Sequence, residues 1–316
     1  MRPSHIEAFW GLQYASSLYA HKGWQTAFRH LQPRATPYLS LLGNCLSVAS
    51  HEETKNSYKF LKKCAATWDK VFVVPGPSEI KSVAEGCNES PLPFSEQTER
   101  LRDLCNGVKH LNGSNVVTFM DQTEYYYSDM NIVILAAGGW SDCRAVDTFP
   151  LESEEANTIW VADINGLRHI EPGDFKKWHM DDIEWLNERL SWWQIHRPFV
   201  RVLILTHSLC NGQLLNRELP KEVYKRIYID IMPFDTTRQT IAHKNIHAWL
   251  CGATGSCASG FVGIMRGGVF SSVNALYATP DMKYKNPSFI SDRKIEIKYS
   301  EEVESLRKAD TSIKLQ

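Results

Sequence analysis

The chain has 316 residues, with 35 Lys and Arg set against 36 Asp and Glu for a formal net charge of −1. That length suffices for one large α/β domain or two small ones, and 43% apolar residues can build a sizeable core. The balanced charge argues against nucleic-acid binding through a broad basic face.

No apolar run approaches the length of a membrane span. Met1 to Trp10 includes Glu7 and lacks an apolar h-region, which speaks against a secretory signal. The eight cysteines are scattered, with no C-x-x-C pair, as expected of reduced intracellular thiols. Together these features predict a cytoplasmic protein with no membrane contact.

In chain order, a first strand is expected at 12–17, entering a loop at Ser17. A second, at 39–42, runs into a tight Gly43-Asn44 turn. Tyr58, Leu61, Ala65 and Trp68 recur at steps of three, four and three, which is one face of a helix. Val71-Phe72-Val73-Val74 is a short apolar run stopped by Pro75-Gly76-Pro77, a buried strand feeding a loop. Strand, helix and strand make a βαβ unit. A helix follows near 95–106, then strands at 116–120 and 131–137, the second ending in Gly138-Gly139-Trp140. The stretch 150–173 is polar and reads as loop-rich.

An amphipathic helix is expected at 178–195, with Ile183, Leu186, Leu190 and Trp193 on one face. Its four tryptophans, Trp178, Trp185, Trp192 and Trp193, cannot share one narrow face. Pro198 marks the break before a strand at 200–205. Another helix is expected at 220–229 and a strand at 246–251, stopping at Gly252. Gly267-Gly268 separates 261–265 from 269–277, as in a hairpin. The tail after Asp281 is charged and reads as either a docked extension or a mobile arm. The chain thus divides into a domain at 1–282 and a charged C-terminal extension at 283–316. Strands outnumber what one Rossmann sheet needs, and the late ones read as antiparallel. Two stacked mixed sheets with helices outside fit better.

Five short segments carry a resemblance. Leu41-Leu42-Gly43-Asn44, Val73 to Glu79, Leu205-Thr206-His207 and Cys251 to Gly255 resemble the G-D, G-N-H-E, T-H and G-H-T-H signatures of the calcineurin-like metallophosphoesterases. Tyr14 to Tyr19 resembles that family's opening S-D-L-H. The flanks agree: Phe60 to Gly76 approaches G-N-H-E, Gly138-Gly139-Trp140-Ser141 resembles G-T-x-W-S, and Val273-Asn274-Ala275 resembles V-x-N-P. The likeness spans about residues 12–278. It implies a four-layer αββα sandwich of two mixed sheets flanked by helices, with the motif loops meeting at the ends of central strands.

The resemblance also says what is missing. Two-metal phosphoester hydrolysis needs cations about 3.5–4 Å apart, one activating a water while both clamp the phosphoryl oxygens. Carboxylates and imidazoles must hold them, with one carboxylate bridging. Carried over position by position, the first motif's aspartate falls on Ser17 and its histidine on Tyr19. The bridging aspartate falls on Asn44. The asparagine ligand falls on Pro77, and the histidine usually assigned as acid or transition-state stabiliser falls on Ser78. The T-H histidine survives as His207, while the two histidines of G-H-T-H fall on Ala253 and Gly255. One imidazole and one amide cannot supply the negative charge that dehydrates two divalent ions. The expectation is therefore a pseudophosphatase with no two-metal centre, kept as a binding or structural module with protein partners.

Two other readings stand beside it. One is an active metal-dependent phosphoesterase rebuilt around His207, with Asp142, Asp163 or cysteines as new ligands. Cys45, Cys143, Cys210, Cys251 and Cys257 flank the motif loops and could bind a single zinc near His207. The other is a metal-free anion sensor using backbone N–H groups of Gly43, Gly76, Gly252 and Gly255. Asn44 and Glu79 read either as pocket lining or as loop caps.

Overall fold

The computed structural model describes residues 9–31, 36–76, 79, 94–110, 113–140, 172–208, 246–252, 259–262, 269–273 and 294–298. The expected helix at 220–229 and most of the stretch 150–173 lie outside these residues.

The first half of the chain builds one sheet and its helices: β1 (Phe9–Ala15), α1 (Trp24–Arg29), β2 (Tyr38–Leu42), α2 (His51–Ala65), β3 (Lys70–Val74), α3 (Phe94–Gly107) and β4 (Val117–Phe119). The second half builds β5 (Thr123–Tyr127), β6 (Ile132–Ala137), α4 (Pro172–His196), β7 (Arg201–Thr206), β8 (Ile246–Cys251), β9 (Ser259–Val262), β10 (Val269–Val273) and β11 (Lys294–Lys298). The first sheet runs β11-β1-β2-β3-β4 and the second β5-β6-β7-β8-β10-β9. β1 to β4 are mutually parallel, as are β6, β7, β8 and β10. Antiparallel strands sit only at the edges: β11 on β1, β5 on β6 and β9 on β10. The late strands are antiparallel as expected in the β9–β10 pair and at β11, and the expectation is corrected only for β8 and β10, which pair in parallel. The charged tail is docked along at least one stretch, since β11 completes the first sheet.

The alternation of each strand sorts its side chains between two cores. Leu12, Tyr14, Leu42, Phe72 and Val74 of the first sheet meet Ile132, Ile134, Ala136, Leu203, Leu205, Ala248 and Leu250 of the second. The other face of the first sheet, through Leu39, Leu41, Val71 and Val73, packs on Phe60, Leu61, Cys64 and Ala65 of α2 and Leu101 and Cys105 of α3. Each large side chain buried there contributes about 1.5–3 kcal/mol. On the far side of the second sheet, α4 buries Ile183, Leu186, Leu190 and Trp193. The order of layers is helix, sheet, sheet, helix, the four-layer α/β sandwich that the resemblance implies.

Local chemistry fixes the ends of the elements. Ser50, with extended backbone, accepts the Glu53 N–H at 3.2 Å and caps α2, an interaction worth about 1 kcal/mol. Arg189 of α4 grips Glu124 of β5 through two N–H···O bonds of 2.9 and 2.8 Å, which fixes the helix on the sheet edge. Among the described residues no helix is long and apolar enough to cross a membrane.

Candidate functional site

All the parallel strands of a sheet end on one side, and there the motif loops meet. β2 ends in two consecutive left-handed residues, Gly43 (φ 78°) and Asn44 (φ 55°). This turn aims a run of amides inward. Glu79 receives them: its Oε2 accepts from Asn44 N at 2.8 Å and Gly76 N at 3.0 Å. Its Oε1 accepts from Cys45 N at 2.6 Å and Leu46 N at 2.8 Å. The carboxyl is fully buried. Burial pushes it up to about 7 against the downward pull of the four amides. Each oxygen accepts two N–H groups, an arrangement that favours the carboxylate. Of the two readings for Glu79, loop capping is the one observed.

β1 ends in a second strained pair. Ser17 (φ 54°) and Tyr19 (φ 47°) are left-handed residues with no glycine's freedom, each costing on the order of 1–2 kcal/mol. Their amides pin them to the β2 turn: Ser17 N donates to Gly43 O at 2.9 Å and Tyr19 N to Asn44 O at 3.0 Å. Ala20 N continues the pattern onto Cys45 O at 2.7 Å. Ser17 is buried and Tyr19 half-buried, its ring edge-on to His21.

His207 follows β7 and is buried. Its Nδ1 lies 2.9 Å from the Leu42 carbonyl. A carbonyl only accepts, so Nδ1 carries the proton and the lone pair sits on Nε2. The ring lies against the backbone of Gly43 and Gly76. A Cβ at Gly76 would sit 2.8 Å from Nδ1, and one at Gly43 would collide with the same atom. Burial pushes the imidazole down to about 4, so it is neutral. Gly252, after β8, donates its N–H to Thr206 O and His207 O, and a Cβ there would strike Leu42 O.

The structure therefore brings Ser17, Tyr19, Asn44 and His207 into one loop cluster. Pro77, Ser78, Ala253 and Gly255 lie outside the described residues, as do Asp142, Asp163, Cys143, Cys210 and Cys257. Two of the flanking thiols are visible. Cys45 donates to Gly43 O at 3.4 Å, and burial beside Glu79 pushes it well up. Cys251 accepts from Thr206 Oγ1 at 3.7 Å. The motif positions in view offer two hydroxyls, a carboxamide and one neutral imidazole, while Glu79, the carboxylate at the β2 turn, is directed at amides. Among the described residues no three His, Cys, Asp or Glu side chains are grouped closely enough to hold an ion. The anion-sensor reading fares differently. The Gly43 turn does gather amides, but an internal carboxylate takes them, and so it takes Gly76 N.

Sequence reasoning missed a second polar cluster at the Gly138-Gly139 turn. Asp121 accepts from Gly138 N at 3.2 Å and Asp182 from Gly139 N at 2.7 Å. Gln122 donates to Asp182 at 3.1 Å, and His179 bonds the Trp140 carbonyl at 2.8 Å. Burial raises both carboxyls, and Asp121 raises Asp182 further. The turn in turn supports the motif loops, because Gly138 O accepts from His207 N at 3.0 Å. A signal existed: Asp182 falls three after His179 and four before Leu186, on the buried stripe of α4.

No family model matches the chain. The uncharacterized protein L509 of Acanthamoeba polyphaga mimivirus is 22% identical over 226 residues, covering 70% of this chain and 73% of that protein. Among solved structures, phosphopantetheinyl hydrolase (PptH) from Mycobacterium tuberculosis is similar with a TM-score of 0.57 at 12% identity. The match covers 86% of this chain and 91% of that one. That likeness shows the fold, an α/β sandwich.

Proposed function

We propose that this chain is a non-hydrolysing module of metallophosphoesterase-like fold, used for binding or structure within a larger assembly. One observation carries the reading. The strand-end loops are closed among themselves by backbone and by Glu79, and the motif resemblance puts Ser17, Tyr19 and Asn44 at positions where that family carries anionic or imidazole ligands. His207 turns Nδ1 to a backbone carbonyl and keeps a single lone pair, too little to seat two hydrated cations. The fold is preserved around a site poor in charge, which leaves its surfaces as the part able to act. Met180, Trp192, Ile195 and Phe199 are exposed on and just beyond α4 and supply an apolar surface for a protein partner.

The test is elemental analysis of the purified full-length protein together with turnover of bis-p-nitrophenyl phosphate in manganese. The expected result is no stoichiometric metal and no hydrolysis above a heat-denatured control. Turnover that needs manganese, vanishes with EDTA and is lost in His207→Ala would overturn this reading in favour of the site rebuilt around His207, with Asp142, Asp163 or the cysteines as ligands.

A further inference from the structure

The loop after β2 holds a fully buried carboxylate that accepts four backbone N–H groups. Three successive amides, Asn44, Cys45 and Leu46, curl around the Glu79 carboxylate because Gly43 and Asn44 are both left-handed. Such curled runs of N–H groups form concavities suited to anions. A fourth amide, Gly76, closes the cradle from the β3 loop. The three bonds from the β2 loop are short, 2.6 to 2.8 Å, as in charge-assisted contacts, and that from Gly76 is 3.0 Å. Glu79 is itself held by its own N–H on Gly76 O at 3.1 Å, so side chain and turn are locked reciprocally. The arrangement stitches the β2 loop to the β3 loop, and through Gly43 O and Asn44 O to Ser17 and Tyr19 of the β1 loop. It also fixes Gly43 and Gly76, the two backbones that enclose the His207 ring.

We infer that the amides of Asn44, Cys45, Leu46 and Gly76 form an anion-binding cradle whose built-in ligand is Glu79, and that the cradle accepts a small free carboxylate once that side chain is cut back. The cradle recognises a planar, two-oxygen anion, because it presents two donors to each of two oxygens. A formate or acetate ion reproduces that pattern and fits the volume vacated by the carboxyl. The inference is independent of whether the chain hydrolyses anything.

The experiment is thermal unfolding of full-length wild type, Glu79→Ala and Glu79→Gln, each titrated with sodium formate and, at matched ionic strength, sodium chloride. Glu79→Ala is expected to melt several degrees lower, about 5 °C or more, and to recover much of the loss in formate but not in chloride. Wild type is expected to be indifferent to both salts. Glu79→Gln fills the same space yet turns an NH₂ group toward two N–H donors, so it is expected to melt lower and to gain nothing from formate. A folded Glu79→Ala that responds equally to formate and chloride, or to neither, overturns the cradle. Should Glu79→Ala fail to fold, Glu79→Gln decides: wild-type stability in that variant overturns the inference, and a lowered melting point unmoved by formate upholds the need for the anion.

Discussion

At His207 the imidazole is shut between Gly43 and Gly76, donates from Nδ1 to Leu42 O and is pushed down to about 4 by burial. In the unfolded chain the same group titrates near 6.5. Between these values the unfolded state binds a proton that the folded state refuses, so stability falls as pH falls. The contribution is whole above pH 6.5 and is lost toward about pH 4. His207→Asn keeps a donor for Leu42 O and removes the titration, at the cost of a cavity where the ring was. The variant is expected to be less stable than wild type at pH 7. The gap should then narrow by about 1.4 kcal/mol per pH unit on going from 6.5 toward 4. Urea unfolding of both proteins across that range measures it; a constant gap would mean the ring is protonated in place. How much of this was legible varies by residue. Gly43-Asn44 announced its turn, because both residue types tolerate left-handed backbone. Ser17 and Tyr19 gave no such sign, since only the bonds to Gly43 O and Asn44 O hold them there. Glu79 reads in sequence as a polar loop residue; its burial depends on a turn 33 to 35 residues away.

β11 shows how an element can hide in plain composition. Lys294-Ile295-Glu296-Ile297-Lys298 alternates like a strand, yet it sits in a tail whose charge suggests solvent. Its partner β1 is distant in sequence, and only tertiary pairing selects it. β5 was hidden differently: Thr123 to Tyr127 is half-buried at every position, so no alternation marks it. α2 was legible through Leu61 and Ala65, whereas Tyr58 is exposed and Trp68 lies past the helix end, and its start went unread although Ser50 and Glu53 carried a capping signal. Parallel pairing of β8 and β10 was not legible, because a Gly-Gly break suggests a hairpin for the following strand and says nothing of the one before. The β11–β1 ladder makes the proposed extension at 283–316 testable as an element. Loss of its five paired positions would leave Phe9 to Gln13 as an open edge. A chain ending at residue 282 is expected to melt lower than the full chain and to scatter light on heating. Differential scanning calorimetry with light scattering checks this, and an unchanged melting point would mean the extension is an independent appendage.

Taken whole, the sandwich was foreseeable from the resemblance and from a strand count too high for one Rossmann sheet, while short apolar runs such as Val71 to Val74 pointed to burial on both faces. What the layers leave outside was less foreseeable. α4 forms the outer layer of the second sheet, and one face goes inward through Ile183, Leu186, Leu190 and Trp193. Trp192 and Ile195, 38% and 75% exposed, lie about one turn apart on the other side, followed by Phe199 at 54%. Isolated exposed apolar residues are ordinary; three within eight positions are less so. Arg189 and His196 hold Trp192 between them, the guanidinium 4.9 Å and the stacked imidazole 4.4 Å from its ring, so the indole is presented in a fixed pose. A pre-positioned tryptophan loses little freedom on contact and suits the centre of a protein interface. If this surface is the working part of the molecule, Ile195→Glu with Phe199→Glu should leave the melting temperature within a degree or two of wild type, as expected for exposed positions. The same double variant should lose a protein neighbour that wild type retains, read by proximity labelling in cells and by sedimentation velocity over a range of concentrations. An identical labelled set and identical sedimentation for the two proteins would remove the α4 surface from consideration, leaving the loop face around Tyr19 as the next place to look.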